Sequence, residues 1–153
     1  MAKKLLEVAK SGLSVYVGEE TLAHMEAHSD VQMAHVKEAI SKLDYQGPFW
    51  IGAVDLGRTI GKDHCVEITP QDDVRMVRRP NRDGETPMVY GREAADSSLI
   101  VIGICHDDDG LETLFTAFYG QLAPKEPWDP RLRDEEREAS ETFWSTHALV
   151  AEG

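Results

Sequence analysis

Basic residues are scarce in this chain: 16 lysines and arginines face 28 aspartates and glutamates, a formal net charge of −12. That shortage excludes broad, non-specific nucleic-acid binding, which depends on many phosphate contacts. A nucleic-acid substrate would have to be gripped locally or presented by another macromolecule. Cysteine is almost missing as well. Cys65 and Cys105 both fall in apolar runs, where a thiol reads as a small core residue rather than a nucleophile. No apolar run approaches the roughly 18 residues of a membrane span, and the opening Met1-Ala-Lys-Lys-Leu-Leu is too short for a signal peptide. These absences predict a cytoplasmic protein without membrane contact. No internal repeat or low-complexity tract is present. The 153 residues, 41% of them hydrophobic, suffice for one well-buried core and not for two ordinary domains, so a single domain over 1–153 is expected, with its core at about 13–130.

Against this acidic background, Arg75-Met-Val-Arg-Arg-Pro-Asn-Arg82 places four arginines and no carboxylate in eight residues. The segment 58–92 holds seven Lys/Arg and six Asp/Glu, a net of +1, which leaves nine against 22, a net of −13, elsewhere. Two readings of the run stay open. It is an anion site on an acidic body, or it is the exposed face of a hairpin whose arginines pair with Asp72, Asp73 and Glu85.

Residues 3–10 suit a short helix ended by Ser11-Gly12, after which Leu13, Val15 and Val17 alternate as in a strand. Glu19–His28 reads as a helix. Ser29-Asp-Val-Gln32 has capping-box spacing and predicts a second helix, with Val36, Ile40 and Leu43 as its apolar stripe and Tyr45-Gln-Gly-Pro48 as its end. From Phe49 the period changes, and strands are predicted at Phe49–Leu56, His64–Thr69, Val74–Arg79, Pro87–Arg92, Leu99–Cys105 and Thr113–Tyr119. The nearly all-apolar Leu99–Cys105 is the candidate central strand. Short Gly-terminated turns make neighbouring strands antiparallel. Leu122–Pro130 carries three prolines and cannot be regular. A charged helix is expected over about 132–150, anchored by Phe143 and Trp144. The fold class is therefore α+β: a mainly antiparallel sheet of four or more strands, N-terminal helices on one face, and a C-terminal helix.

His24 and His28 stand four apart, the spacing of a helical zinc pair, but Met25 occupies the place where a zinc peptidase needs its glutamate and no third ligand is suggested. No metal or cofactor is expected. Both histidines lie off the Leu22/Met25 face, and two readings stay open: one acts as a general acid or base, or both are merely solvated. His106-Asp-Asp-Asp-Gly110 lacks the alternating acids of a calcium loop and reads as a solvated hairpin turn. Gly57-Arg-Thr-Ile-Gly61-Lys lacks the phosphate-loop spacing, although Arg58 and Lys62 can join the arginines that follow. Thr116-Ala-Phe-Tyr-Gly120 offers a hydroxyl for a phosphate and, in Tyr119, a ring for a base, or else these two residues simply pack.

Taken together, the helical Thr21-Leu-Ala-His24 and His28, Arg79-Pro-Asn-Arg82, Met88-Val-Tyr-Gly-Arg92, Thr116-Ala-Phe-Tyr-Gly and Pro127-Trp-Asp129 resemble the barnase, EndoU, colicin E5 and RelE-like superfamily of small nucleases. The resemblance spans roughly residues 15–130 in element order and is nearest to uncharacterised bacterial and phage-associated members. It implies metal-independent RNA cleavage in a groove on the sheet, in which the ribose 2′-OH attacks the adjacent phosphate. His24 would be the acid or base, Arg79 and Arg82 would hold the phosphate, and Thr116 would orient an oxygen. His28, Arg58, Arg75, Tyr90, Arg92 and Tyr119 would make the remaining substrate contacts, with Tyr90 standing where relatives often carry lysine. Implied partners are RNA and an antitoxin or other protein. The competing reading is a catalytically silent module of the same fold that binds an anionic ligand or a protein.

Overall fold

The computed structural model describes residues 3–28 and 30–151, with the side chains of residues 27 and 28 outside that description. The chain folds as α+β with mainly antiparallel sheets, and it forms two compact units. The first comprises residues 1–62 and 96–122, the second 63–95 and 123–153.

In the first unit, β1 (Lys3–Val8), β2 (Ser14–Gly18), β3 (Phe49–Asp55), β9 (Leu99–His106) and β10 (Glu112–Tyr119) form a five-stranded sheet in the order β1-β2-β10-β9-β3. All ladders are antiparallel except β2 with β10. Helices α1 (Glu19–His28) and α2 (Met33–Ser41) join β2 to β3. The apolar stripe read from the sequence is the one buried: Val36 and Ile40 are fully covered and Leu43 packs against them, together with Ile100, Ile102 and Ile104 of β9 and Val15 and Val17 of β2. Side chains of this size are each worth roughly 1.5–3 kcal/mol when removed from water. In β9, residues 100–104 are all buried, so both faces of this interior strand are covered. The capping box proposed for α2 rests on Ser29, outside the described residues, and Gln32 caps the helix without a side-chain hydrogen bond.

Residues 3–8 are a strand, not the expected helix. Leu5, 54% exposed, and Leu6, 7% exposed, alternate across the sheet, and β1 pairs with β2 through a turn containing Gly12 at φ +96°. A positive-φ glycine ends helices and closes hairpins alike, so Ser11-Gly12 did not distinguish the two.

In the second unit, β6 (Asp73–Arg78) and β7 (Glu85–Tyr90) form an antiparallel hairpin, and β5 (Cys65–Glu67) belongs to the same four-stranded sheet, of order β5-β11-β7-β6. Its remaining strand is β11 (His147–Val150), which follows α3 (Asp134–Thr146). The helix expected to about residue 150 therefore stops at Thr146. Ala148 and Val150 alternate into the core with Val66 and Val89, and β11 satisfies backbone groups of β5 on one side and β7 on the other. The predicted anchors of α3 are only half-buried. Ser140 is fully buried and donates to the Lys125 carbonyl at 2.5 Å, while the Trp144 indole donates to the Pro124 carbonyl at 3.1 Å. The strands between Phe49 and Tyr119 are thus divided among sheets rather than joined in one. Short β4 (Gly61–Asp63) and β8 (Ala95–Ser97) pair where the chain passes between the units and back. Among the described residues no helix is long and apolar enough to cross a membrane.

Candidate active site

A β-bulge sets the geometry of the site. The register of β10 on β9 shifts between Leu114 and Thr116, turning both Phe115 and Thr116 toward the face away from α2. Gly103 makes this possible: a Cβ there would meet Phe115 Cζ at 2.6 Å and Thr116 Cγ2 at 2.7 Å. Alongside, Glu20, Thr21 and His24 sit on adjoining turns of α1, and Glu20 and His24 at i and i+4 share one side of the helix. These residues, with Met25, Phe115, Thr116, Ala117 and Phe118, line one concavity of about 440 Å³. Two of the sequence candidates, His24 and Thr116, therefore share a wall. Glu20, Phe115 and Phe118 were missed. The spacing of Glu20 from His24 was the available signal, but the bulge that selects Phe115 is set by strand register and not by local sequence. Among the described residues, the concavity lining contains no lysine or arginine.

Arg79 and Arg82 belong to the second unit. Pro80 and Asn81 form the centre of a tight turn, Asn81 at φ +63°, with the Arg82 N–H donating to the Arg79 carbonyl at 3.3 Å, as in a type II turn. Arg78, Arg79, Asn81, Arg82 and Asp83 border an open hollow here. Within this unit the Arg79-Pro-Asn-Arg82 and Pro127-Trp-Asp129 motifs meet. The Trp128 indole lies over Gly84, and Arg79 donates from Nε to Thr86 Oγ1 at 3.2 Å and approaches the buried Glu126 carboxylate at 3.6 Å. Arg79 is therefore tied to an acid and a hydroxyl, whereas Arg82 is exposed.

The other expected substrate contacts are committed elsewhere. Arg58 binds Glu38 through two hydrogen bonds of 2.8 and 2.7 Å. Arg75 pairs with Asp73 at 2.9 Å and lies 4.5 Å above the Tyr90 ring. Arg92 pairs with Asp72 at 3.2 Å. Within the run Arg75–Arg82, the pairing reading thus describes Arg75. Tyr119 faces the helix side, buried, with its hydroxyl accepting from the Gln32 N–H at 3.0 Å and 2.6 Å from His35 Nδ1, so its ring is not open to a base. The His28 side chain lies outside the described residues.

Cys65 is buried, and burial followed by the Asp63 charge pushes its thiol up to about 12, so it stays protonated near neutrality. The turn after β9 is exposed at His106 and at Asp108–Gly110, while Asp107 is held in it, accepting from Lys3, Thr113 and the Leu111 and Asp109 N–H groups.

Beside that turn, Glu112 accepts from His106 and, at 2.5 Å, from the buried Tyr45 hydroxyl. The hydrogen bond to Glu112 raises His106 above its ordinary 6.5. For Glu112, burial favours the neutral acid, but the His106 and Tyr45 hydrogen bonds outweigh it and hold the carboxyl below 4.5. A raised His stabilises below 6.5 and loses that contribution as pH climbs through its folded pKa. A depressed Glu stabilises above 4.5 and loses it as pH falls. Both contributions are complete between pH 4.5 and 6.5. Thermal unfolding of His106→Gln against the parent protein should show the largest deficit in that window. A deficit independent of pH would remove the ionic contribution.

Comparison of the chain with protein-family models, with curated proteins and with solved structures gives no match. Fold and site together define an α+β protein whose α1–β10 concavity carries a carboxylate, an imidazole and a hydroxyl.

Proposed function

We propose that this chain is a small, cytoplasmic, toxin-like ribonuclease that cleaves RNA by metal-independent transesterification, in line with the nuclease resemblance. The observation that supports this reading is the presence of Glu20, His24 and Thr116 in one concavity. Transesterification needs a base, an acid and a group to orient the phosphate. The Glu20 carboxylate takes the 2′-OH proton, the 2′ oxygen bonds to phosphorus, and the P–O5′ bond breaks as His24 protonates the departing oxygen. Thr116 Oγ1 donates to a non-bridging oxygen. The products are a 2′,3′-cyclic phosphate and a 5′-hydroxyl. Because no lysine or arginine is among the described lining residues, the substrate is RNA held by another macromolecule, such as ribosome-bound RNA, rather than naked RNA.

Incubation of ribosome-bound, transfer and naked RNA with the protein in EDTA tests this. Cleavage yielding cyclic phosphate ends, with DNA left intact for want of a 2′-OH, is expected. If no RNA is cut, and sulfate raises the melting temperature of the parent protein but not of Arg82→Ala, the silent anion-binding module is the better description. Its support is the exposed Arg82 beside Arg78 at the turn.

A further inference from the structure

The chain has four phenylalanines, and three of them are left exposed on one face of one sheet. Phe49 is 60% exposed, Phe115 41% and Phe118 38%. Phe49 pairs with Cys105 and Phe118 with Val101, and the bulge adds Phe115 to the same side, opposite the Ile100, Ile102 and Ile104 face that α2 covers. The Phe49 and Phe115 rings stack, with centroids 5.8 Å apart at 21°. Apolar rings gathered in this way mark a surface built to be covered.

The charge around them selects what covers it. The first unit carries seven Lys/Arg against thirteen Asp/Glu, a net of −6. Of those seven, Lys3, Arg58 and Lys62 are paired with Asp107, Glu38 and Asp96. Glu20 stands beside Phe115 and Phe118 in the concavity, and the exposed Asp108 and Asp109 follow the strand that pairs with Phe49. A nucleic acid or a second copy of this chain would bring more negative charge to this face. We infer that the face docks a protein partner through a segment carrying cationic and apolar side chains in alternation, the apolar ones against Phe49 and Phe115 and the cations toward the flanking carboxylates. The inference does not require the concavity to cleave RNA.

The test uses a short synthetic peptide alternating lysine and leucine, beside two controls of the same length, one with glutamate for lysine and one with serine for leucine, and a single-stranded oligouridylate. Affinities are measured for the parent protein and for Phe49→Ser with Phe115→Ser, whose exposed positions leave the core intact, as matched melting curves would verify. The lysine-leucine peptide should bind the parent about tenfold or more tightly than the double variant and should outbind both controls. Equal affinity for the two proteins would overturn the proposal, as would equal binding of the lysine-serine peptide. Preferential binding of the oligouridylate, lost in the double variant, would reassign the face to RNA. Because no cleavage is measured, a failed nuclease assay leaves this result standing, and the reverse holds too.

Discussion

Replacing His24 with alanine should lower the cleavage rate about 10²-fold or more, the usual loss for a positioned acid or base. At 1.36 kcal/mol per decade this is about 2.7 kcal/mol of transition-state stabilisation. The imidazole is exposed on α1 and lies outside the buried core cluster, and melting curves of variant and parent separate a loss of chemistry from a loss of stability. Glu20→Gln should produce a loss of similar size if the two groups share the proton transfers. The diagnostic comparison is between them: a double variant no slower than either single one marks a pair acting as a unit, as cooperating catalytic groups do. Full activity of His24→Ala on ribosome-bound RNA would remove His24 from the reaction, and activity of both singles would remove the concavity.

The second large effect belongs to the second unit. Gly84→Ala should destabilise it by about 2–3 kcal/mol, the range for inserting a methyl where there is no room. An added Cβ would lie 2.2 Å from Trp128 Cγ, 2.5 Å from Cδ1 and 2.7 Å from Cβ. Those atoms belong to the root of a rigid side chain and cannot swing aside as a flexible tip can. Trp128 is further constrained by its position between Glu126, whose carboxylate faces Arg79, and Asp129, which binds Arg131. Urea unfolding of Gly84→Ala, Trp128→Ala and the double variant closes a cycle. The double variant should be less destabilised than the sum of the singles by about 1 kcal/mol or more, because removing the indole makes room for the methyl. Strict additivity would mean that the two residues do not touch.

Local chemistry decided most of the elements. The spacing of Val36 and Ile40 was enough to specify a buried helix face, with Leu43 packing just past the helix end, and the apolar run Leu99–Cys105 was enough to specify an interior strand whose residues 100–104 are buried. Proline spacing kept 122–130 irregular. The failures occurred where one local signal serves two structures. Lys3–Val8 has residues tolerable in a helix, and only pairing with β2 makes it a strand. His147–Val150 continues a helical reading until β5 and β7 offer it a place on both sides.

The candidate site divided in the same way. Sequence by itself named His24 and Thr116, because an imidazole on a helix and a hydroxyl at a strand end are recognisable as residue types. It also determined the net charge. Tertiary structure alone decided which arginines are occupied, since Arg58 meets Glu38 across 20 residues and Arg79 meets Glu126, which lies in the irregular segment after β10. It also decided that Phe115 joins Thr116 on the open face while Tyr119 turns inward. Residue type and periodicity are local and can be read along the chain, whereas ion pairing and strand register depend on residues brought together only when distant segments fold against one another.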